Sequence, residues 1–280
     1  MAGTADLKPD DCIKRNCPIC GGNSDKATPV KYGVPEWPMV KCPDCGLVYL
    51  QWVPDIARLV NELAWTDQKK KNWDKRLEEQ PIFARFDKMT LWRTKLFYDA
   101  TPAKGIRAFA EEGPVLDVGC GNGKKLAKLP EGFIPHGIEI EGKIAAKANA
   151  LFAERGGRVV NADGVSGLDA LPRSFFSGVI LWSYLEHEAR PLEALKGVRK
   201  VIRENGVALV KVPNYASLNR KVFGHRWPGF RHPDHVQYFT PATMSALAER
   251  AGFDAKFRLY GQLPFNDNMY AVLRPKPTLH

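Results

Sequence analysis

The strongest hydrophobic pattern lies in the middle of the chain. Residues 115–118 are apolar apart from Asp117, and glycines then fall at alternate positions, Gly119, Gly121 and Gly123. Such a run predicts a short buried strand stopped by a tight turn, with a helix restarting near Gly123 over 124–129. A strand is expected next at 134–140, a helix at 142–155, a strand near 157, then a loop and a strand at 178–182. A helix at 191–203 and a strand at 207–212 complete the alternation. Strands and helices that alternate in this way predict parallel strands with helices on both faces, an α/β fold of Rossmann type. In such a sheet, ligands sit outside the carboxyl ends of the strands.

On either side the rhythm changes. Ile56, Leu59, Val60 and Leu63 fall at helical spacing, a charged run follows at 69–71, and Pro81 ends the segment. Phe83, Phe86, Met89, Trp92, Leu96 and Phe97 resume on one helical face up to about residue 100. This pair predicts a helical linker or lid over 54–112. Beyond Pro213, a helix is expected within 215–223, a loop at 224–233, a helix capped by Thr240 at 241–251, and strands at 253–260 and 268–273. The domain reading is a small unit at 1–53, the linker, and the α/β domain at 113–280 with a substrate-binding insertion near 213–240.

The first unit draws its character from cysteine. Cys17 and Cys20 form CPIC, Cys42 and Cys45 form CPDC, and 21 residues separate the two pairs. Two CxxC turns each offer a pair of thiolates, and together they complete a tetrahedron around one zinc ion. With short strands at 29–32, 39–41 and 47–49, the segment reads as a zinc ribbon. Four cysteine ligands leave no position for water, so the Zn2+ is expected to be structural.

Charge and length narrow the remaining classes. The opening segment is polar and acidic, and no apolar run approaches the roughly 18 residues of a membrane span, so a cytoplasmic protein with no membrane partner is expected. The net charge is +10, and no acid stands between Glu204 and Asp234, an interval that holds Lys211, Arg220, Lys221, Arg226 and Arg231. A basic segment there suits an anionic substrate or an RNA backbone.

The glycine turn carries the main chemical signal. Bare backbone lets a ligand approach closely, and Glu139 follows Asp117 by 22 positions, where nucleotide-binding α/β folds hold the ribose hydroxyls. The dinucleotide pattern GxGxxG is not met, because Lys124 fills its third glycine slot. VLDVGCGNG closely resembles the first motif of the class I S-adenosylmethionine-dependent methyltransferases, and the resemblance extends over about 113–273.

That resemblance implies a seven-stranded sheet whose last strand is antiparallel, and S-adenosylmethionine as cofactor. It implies that Gly119, Cys120, Gly121 and Gly123 pass the methionine part with Asp117 beneath them. Glu139, beside Ile140, takes the ribose diol, Asp163 with Gly164 meets the adenine amine, and Trp182 and Ser183 line the site.

Methyl transfer requires aligned donor and acceptor, and an acceptor hydroxyl needs a base. Tyr184, Glu186 and His187 follow the fourth strand, while His232, Asp234 and His235 occupy the late loop. Tyr184, His187, His232 and His235 are the candidate catalytic residues, with histidine the natural base near neutral pH. LEHEARP and PDHVQYFTPATM resemble a branch that methylates small molecules, including quinone precursors and sugars. The quinone-precursor enzymes carry a metal-binding Glu where this chain has Ser183, which puts a catalytic metal in doubt and leaves it out of the reading.

The reading is therefore methylation of a small-molecule acceptor, hydroxylated or anionic, such as a sugar derivative, with O-methylation favoured over C or N. Two alternatives stand beside it: an rRNA or tRNA base methyltransferase that grips nucleic acid through the ribbon and basic surface, and a non-catalytic zinc-ribbon adaptor.

Overall fold

The computed structural model describes residues 12–54, 101–257 and 266–277. The apolar helical stretches expected over 56–63 and 82–100 lie outside the described residues. Among the described residues, no helix is long and apolar enough to cross a membrane.

The cysteine-bearing segment consists of five short strands: β1 (Cys12–Lys14), β2 (Thr28–Pro29), β3 (Met39–Lys41), β4 (Val48–Leu50) and β5 (Trp52–Pro54). β1 pairs antiparallel with β5, and β2, β3 and β4 form an antiparallel sheet. Met39, Leu47, Tyr49 and Leu50 are almost wholly buried, more than a segment this short could bury by itself.

The larger unit runs α1 (Pro102–Phe109), β6 (Gly113–Val118), β7 (Phe133–Glu139), α2 (Gly142–Ala153), β8 (Val159–Asn161), α3 (Gly164–Asp169), β9 (Phe176–Trp182), α4 (Pro191–Val201) and β10 (Ile202–Pro213). It continues through α5 (Leu218–Phe223), β11 (Gln237–Tyr238), α6 (Pro241–Arg250), β12 (Phe253–Phe257) and β13 (Asn268–Pro275). The central sheet has seven strands in the order β12-β13-β10-β9-β6-β7-β8. The five strands from β10 to β8 are parallel, while β13 runs antiparallel to both β10 and β12.

Alternation along each strand creates the two core layers. Leu116, Val118, Val179, Leu181, Ala208 and Val210 face Leu168 of α3, Leu195 and Val198 of α4 and Leu247 of α6. Val115, Ile180, Val207 and Leu209 face the other way, onto Ile106 of α1 and Ala148 and Phe152 of α2. Polar side chains start the helices. Thr101 caps α1, Ser217 caps α5, and Thr240 forms a reciprocal capping box with Thr243 on α6.

The structure corrects two of the expected elements. Residues 124–129 form successive turns instead of a helix. Pro130 and Gly132 close that segment before a second helical turn can form, and the Lys125 side chain folds back onto the preceding strand. The stretch expected as a loop after β8 contains α3, nucleated by Asp163, whose carboxylate accepts from the Val165 and Ser166 amides at its N-terminus.

β11 belongs to a different sheet from its neighbours in sequence. It pairs antiparallel with β4, with Gln237 opposite Tyr49 and Tyr238 opposite Val48. The cysteine-bearing sheet therefore takes its fourth strand from the late loop of the α/β unit.

Candidate active site

At the end of β6 the chain turns through Gly119, Gly121 and Gly123, with φ of 70°, 55° and 78°. These are left-handed values at which an L side chain is strained. A Cβ built on Gly121 would meet nothing within 4 Å, so the space above the turn is open to a ligand. Glu139, at the end of β7, faces the turn: its Oε2 accepts from the Gly121 amide at 2.8 Å and its Oε1 from the Glu141 amide at 3.0 Å. Ile140 follows, its carbonyl held by Asn161 at 2.9 Å.

Beneath the turn, Asp117 is fully buried. Lys125 Nζ stands 3.0 Å from its carboxylate and donates to the Gly119 carbonyl at the same distance. Burial pushes the Asp117 carboxyl up to about 6, against the pull of Lys125. The Cys120 side chain is buried against Gly137, where a Cβ would stand 2.6 Å from its Sγ, and burial raises its thiol far above the ordinary value. That environment suits a packing residue and not a nucleophile.

Tyr184 lies between the turn and α3. A Cβ on Gly119 would stand 3.0 Å from its Cδ2, and one on Gly164 would stand 1.8 Å from its hydroxyl. The hydroxyl donates to Glu188. Asp163 Oδ1, besides capping α3, accepts from Arg190 at 3.1 Å. Trp182 ends β9, and Ser183 follows in the left-handed region at φ 53°. Lys211 on β10 donates to Ser183 Oγ at 3.1 Å and lies over the Trp182 ring.

The structure brings Glu186, His187 and His235 together. One ligating atom from each lies within 4.8 Å of the others. Glu186 is 2 % exposed and His235 4 %. Burial pushes the Glu186 carboxyl up to about 7 and holds the His235 imidazole well below its ordinary value, with His187 and Arg231 adding to the latter. His187 Nδ1 bonds the Asp234 carbonyl at 2.7 Å, and His235 Nδ1 bonds the Gly229 carbonyl at 2.8 Å. His232 stands apart from this group, its Nδ1 3.1 Å from the Tyr238 hydroxyl. It belongs to an aromatic cluster of Tyr32, Tyr215, Trp227, Phe230 and Tyr238, with the Arg220 guanidinium 4.2 Å from the Tyr215 ring.

The cysteine-bearing segment is bonded to this region directly. Arg15 donates to the carbonyls of Leu50 (3.1 Å), Ala189 (2.9 Å) and Val236, and to the Gln237 side chain at 3.1 Å. Gln237 Nε2 in turn donates to the carbonyls of Leu185 and Glu188. The Leu50 amide reaches the Val236 carbonyl and the Val236 amide reaches the Glu186 carbonyl. Arg15 and Gln237 were not legible as site residues because each acts on a segment remote in sequence, and Lys125 was not because its partners Asp117 and Gly119 lie at no recognisable spacing from it.

The four cysteines converge. Cys17 and Cys45 Sγ are 3.4 Å apart, Cys20 and Cys42 Sγ 3.5 Å, and all four are free thiols. Each pair ends in a glycine at φ 75°, Gly21 and Gly46. Zinc–sulfur bonds of about 2.3 Å in a tetrahedron put sulfurs about 3.8 Å apart, so the group could hold one such ion.

A parallel sheet whose first strand ends in a three-glycine turn, with an acid from the second strand bonded to that turn, defines a nucleotide-cofactor α/β enzyme. The family described as "Methyltransferase domain" matches residues 54–255, and the chain belongs to it. It is an S-adenosylmethionine-dependent methyltransferase. Among solved structures it is similar to a SAM-dependent methyltransferase from Archaeoglobus fulgidus, with 20% identity, 66% of this chain and 99% of that one covered, and a TM-score of 0.49. It is also similar to a possible histamine N-methyltransferase from Thermotoga maritima (16% identity, 70% and 99% covered, TM-score 0.48). A third is the CcbJ methyltransferase from Streptomyces caelestis (19% identity, 62% and 93% covered, TM-score 0.49). A comparison with curated proteins found no match.

Proposed function

We propose that the enzyme methylates an oxygen of a small hydroxylated or anionic metabolite, of the sugar-derivative class, and that the four cysteines hold a structural zinc ion. The observation that carries this reading is the pairing of β11 with β4. It makes the cysteine-bearing sheet a wall of the region beyond β9, where an acceptor must lie to meet a donor methyl group. A ribbon committed in this way presents less of itself to a nucleic acid than a free module would. Arg220, held over the Tyr32 and Tyr215 rings, adds a fixed positive charge that suits an acceptor bearing a carboxylate or phosphate.

The cofactor supplies an electrophilic methyl group on a sulfonium. Around it, the chain binds and aligns: Gly119 and Gly121 leave backbone bare, Glu139 is placed to accept from the ribose hydroxyls, and Lys125 holds the turn from below. Bound there, the cofactor would present its methyl carbon for in-line displacement by the acceptor oxygen. That oxygen would lose its proton beside the cluster of Glu186, His187 and His235.

The test is incubation of the purified chain with S-adenosylmethionine labelled on its methyl group and an extract of its own source, followed by separation of RNA, protein and small molecules. Label in the small-molecule fraction is expected. Label in RNA would overturn the acceptor class and make the basic interval around Arg220 and Arg226 the binding surface.

A further inference from the structure

We infer that Glu186, His187 and His235 form a binding site for a divalent transition-metal ion, distinct from the four cysteines. Three donor atoms from two separate segments lie within 4.8 Å of one another. The Val236 amide, bonded to the Glu186 carbonyl at 2.8 Å, fixes those segments side by side. Donors about 2.1 Å from a tetrahedral ion are about 3.4 Å apart, so the group needs to close by at most about 1.4 Å.

The surroundings of each donor favour ligation. A carbonyl oxygen only accepts, so the Asp234 and Gly229 carbonyls place a proton on Nδ1 of His187 and His235. In the neutral rings the lone pair then resides on Nε2. Holding the outer nitrogen on a carbonyl is the way proteins fix the tautomer and orientation of metal-binding histidines. The rings themselves are 4.7 Å apart, centre to centre.

Glu186 supplies the second, independent observation. Its Oε2 is buried and has no hydrogen-bond partner among the described residues. A buried carboxylate oxygen without a partner is costly, and a cation within reach removes that cost. Two imidazoles and one carboxylate select zinc, iron, cobalt or manganese over magnesium and calcium, which prefer all-oxygen sets. In this arrangement the third donor is His235 from the late loop, and Ser183 is not needed.

Three protein donors leave a position for an outside ligand. A hydroxyl bound there ionises near neutral pH, passing its proton to water, and the resulting alkoxide is the attacking oxygen. That use rests on the acceptor reading proposed above; the binding of the ion does not.

The test uses the full chain, stripped of metal and reloaded with cobalt(II), with the ion-to-protein ratio measured by elemental analysis. Thiolate-to-cobalt absorption reports the cysteine site, and weaker bands without sulfur character report the second. A second ion per chain is expected in the native protein. His235→Gln and Glu186→Gln should weaken that ion at least about tenfold while the thiolate band stays, and an unchanged thermal melt shows that the variants have folded. Magnesium in excess should not displace it. A native chain that binds cobalt only at the cysteines would overturn the inference, as would a second ion that both variants keep. Neither result bears on the acceptor class, which the labelling experiment decides separately.

Discussion

The Arg15 guanidinium donates to the Ala189 carbonyl at 2.9 Å, across 174 positions of sequence. Arg15 stands two residues before the first cysteine pair, and Ala189 ends the loop that carries Glu186 and His187. The bond therefore joins the candidate metal ribbon to the backbone that positions the candidate catalytic side chains.

Arg15→Ala removes donors from four acceptors, three of them backbone carbonyls. The Val236 carbonyl keeps the Leu50 amide, but leaving the other acceptors unpaired costs roughly 1–3 kcal/mol each where water cannot replace the donor, so a loss of about 2 kcal/mol or more in unfolding free energy is expected. Denaturant titration checks it. Arg15→Lys should recover only part, because an ammonium cannot span the same fork of acceptors. A loss below about 0.5 kcal/mol would mean that the bonds contribute little.

Removing the proposed zinc should loosen more than the ribbon. Stripping with a chelator, or Cys42→Ser, is expected to expose both residues 12–54 and the segment around 230–238 to limited proteolysis, because β4 and β11 share one sheet. Methyl transfer should fall in parallel. Proteolysis confined to the amino-terminal segment would show that the shared strand pair survives metal loss.

Glu139→Ala is expected to weaken S-adenosylmethionine binding by about 10- to 100-fold, the worth of one or two hydrogen bonds to a charged group. Calorimetric titration measures it, with thermal melting as the control for the lost bonds to the Gly121 and Glu141 amides. Unchanged affinity in a folded variant would remove Glu139 from the ribose.

The buried Asp117 sets a pH dependence whose sign is fixed. Its folded value of about 6 lies above the ordinary 3.8, so the folded chain holds a proton that the unfolded chain releases. Its contribution to stability is fully present below about pH 4 and is lost as pH rises through about 6. Relative to the native chain, Asp117→Asn should gain stability progressively across that interval, by on the order of 3 kcal/mol, and keep that gain at higher pH. Paired melts at pH 4.5, 5.5 and 7 test this; a flat difference would place the carboxyl near its ordinary value.

Gly164→Ala places a methyl group 1.8 Å from the Tyr184 hydroxyl and 2.6 Å from its Cζ. Overpacking of this kind costs about 1–3 kcal/mol. A smaller side chain, Tyr184→Leu, should relieve most of it, and a double-mutant cycle reads the coupling directly. Additive losses would show that Tyr184 moves aside freely.

The α/β alternation and the glycine turn were legible because each rests on local rules. Apolar runs predict strands, and only glycine takes φ near 55° to 78° without strain. The cysteine pairs were legible for the same reason, since the spacing within each CxxC is itself the ligand geometry. The helix expected at 124–129 does not form, and nothing local shows that Lys125 commits its side chain to Asp117. The short α3 escaped periodicity, although Asp163 carried its capping signal. What no local rule contains is the pairing of Tyr49 with Gln237, and hence the meeting of His187 with His235. Two residues at β11 are too few to register as a strand without the partner they pair with.

The strand shared between the two sheets also bears on how the chain is made. Synthesis delivers Arg15 long before Val236, its acceptor 221 positions later. The cysteine-bearing sheet thus stays open at its β4 edge until Gln237 and Tyr238 have been translated, with Tyr49 and Leu50 uncovered meanwhile. Contacts this distant in sequence make late folding steps slow. Zinc capture during synthesis would hold the early segment in shape while it waits, so metal supply would govern the yield of folded enzyme as well as its activity.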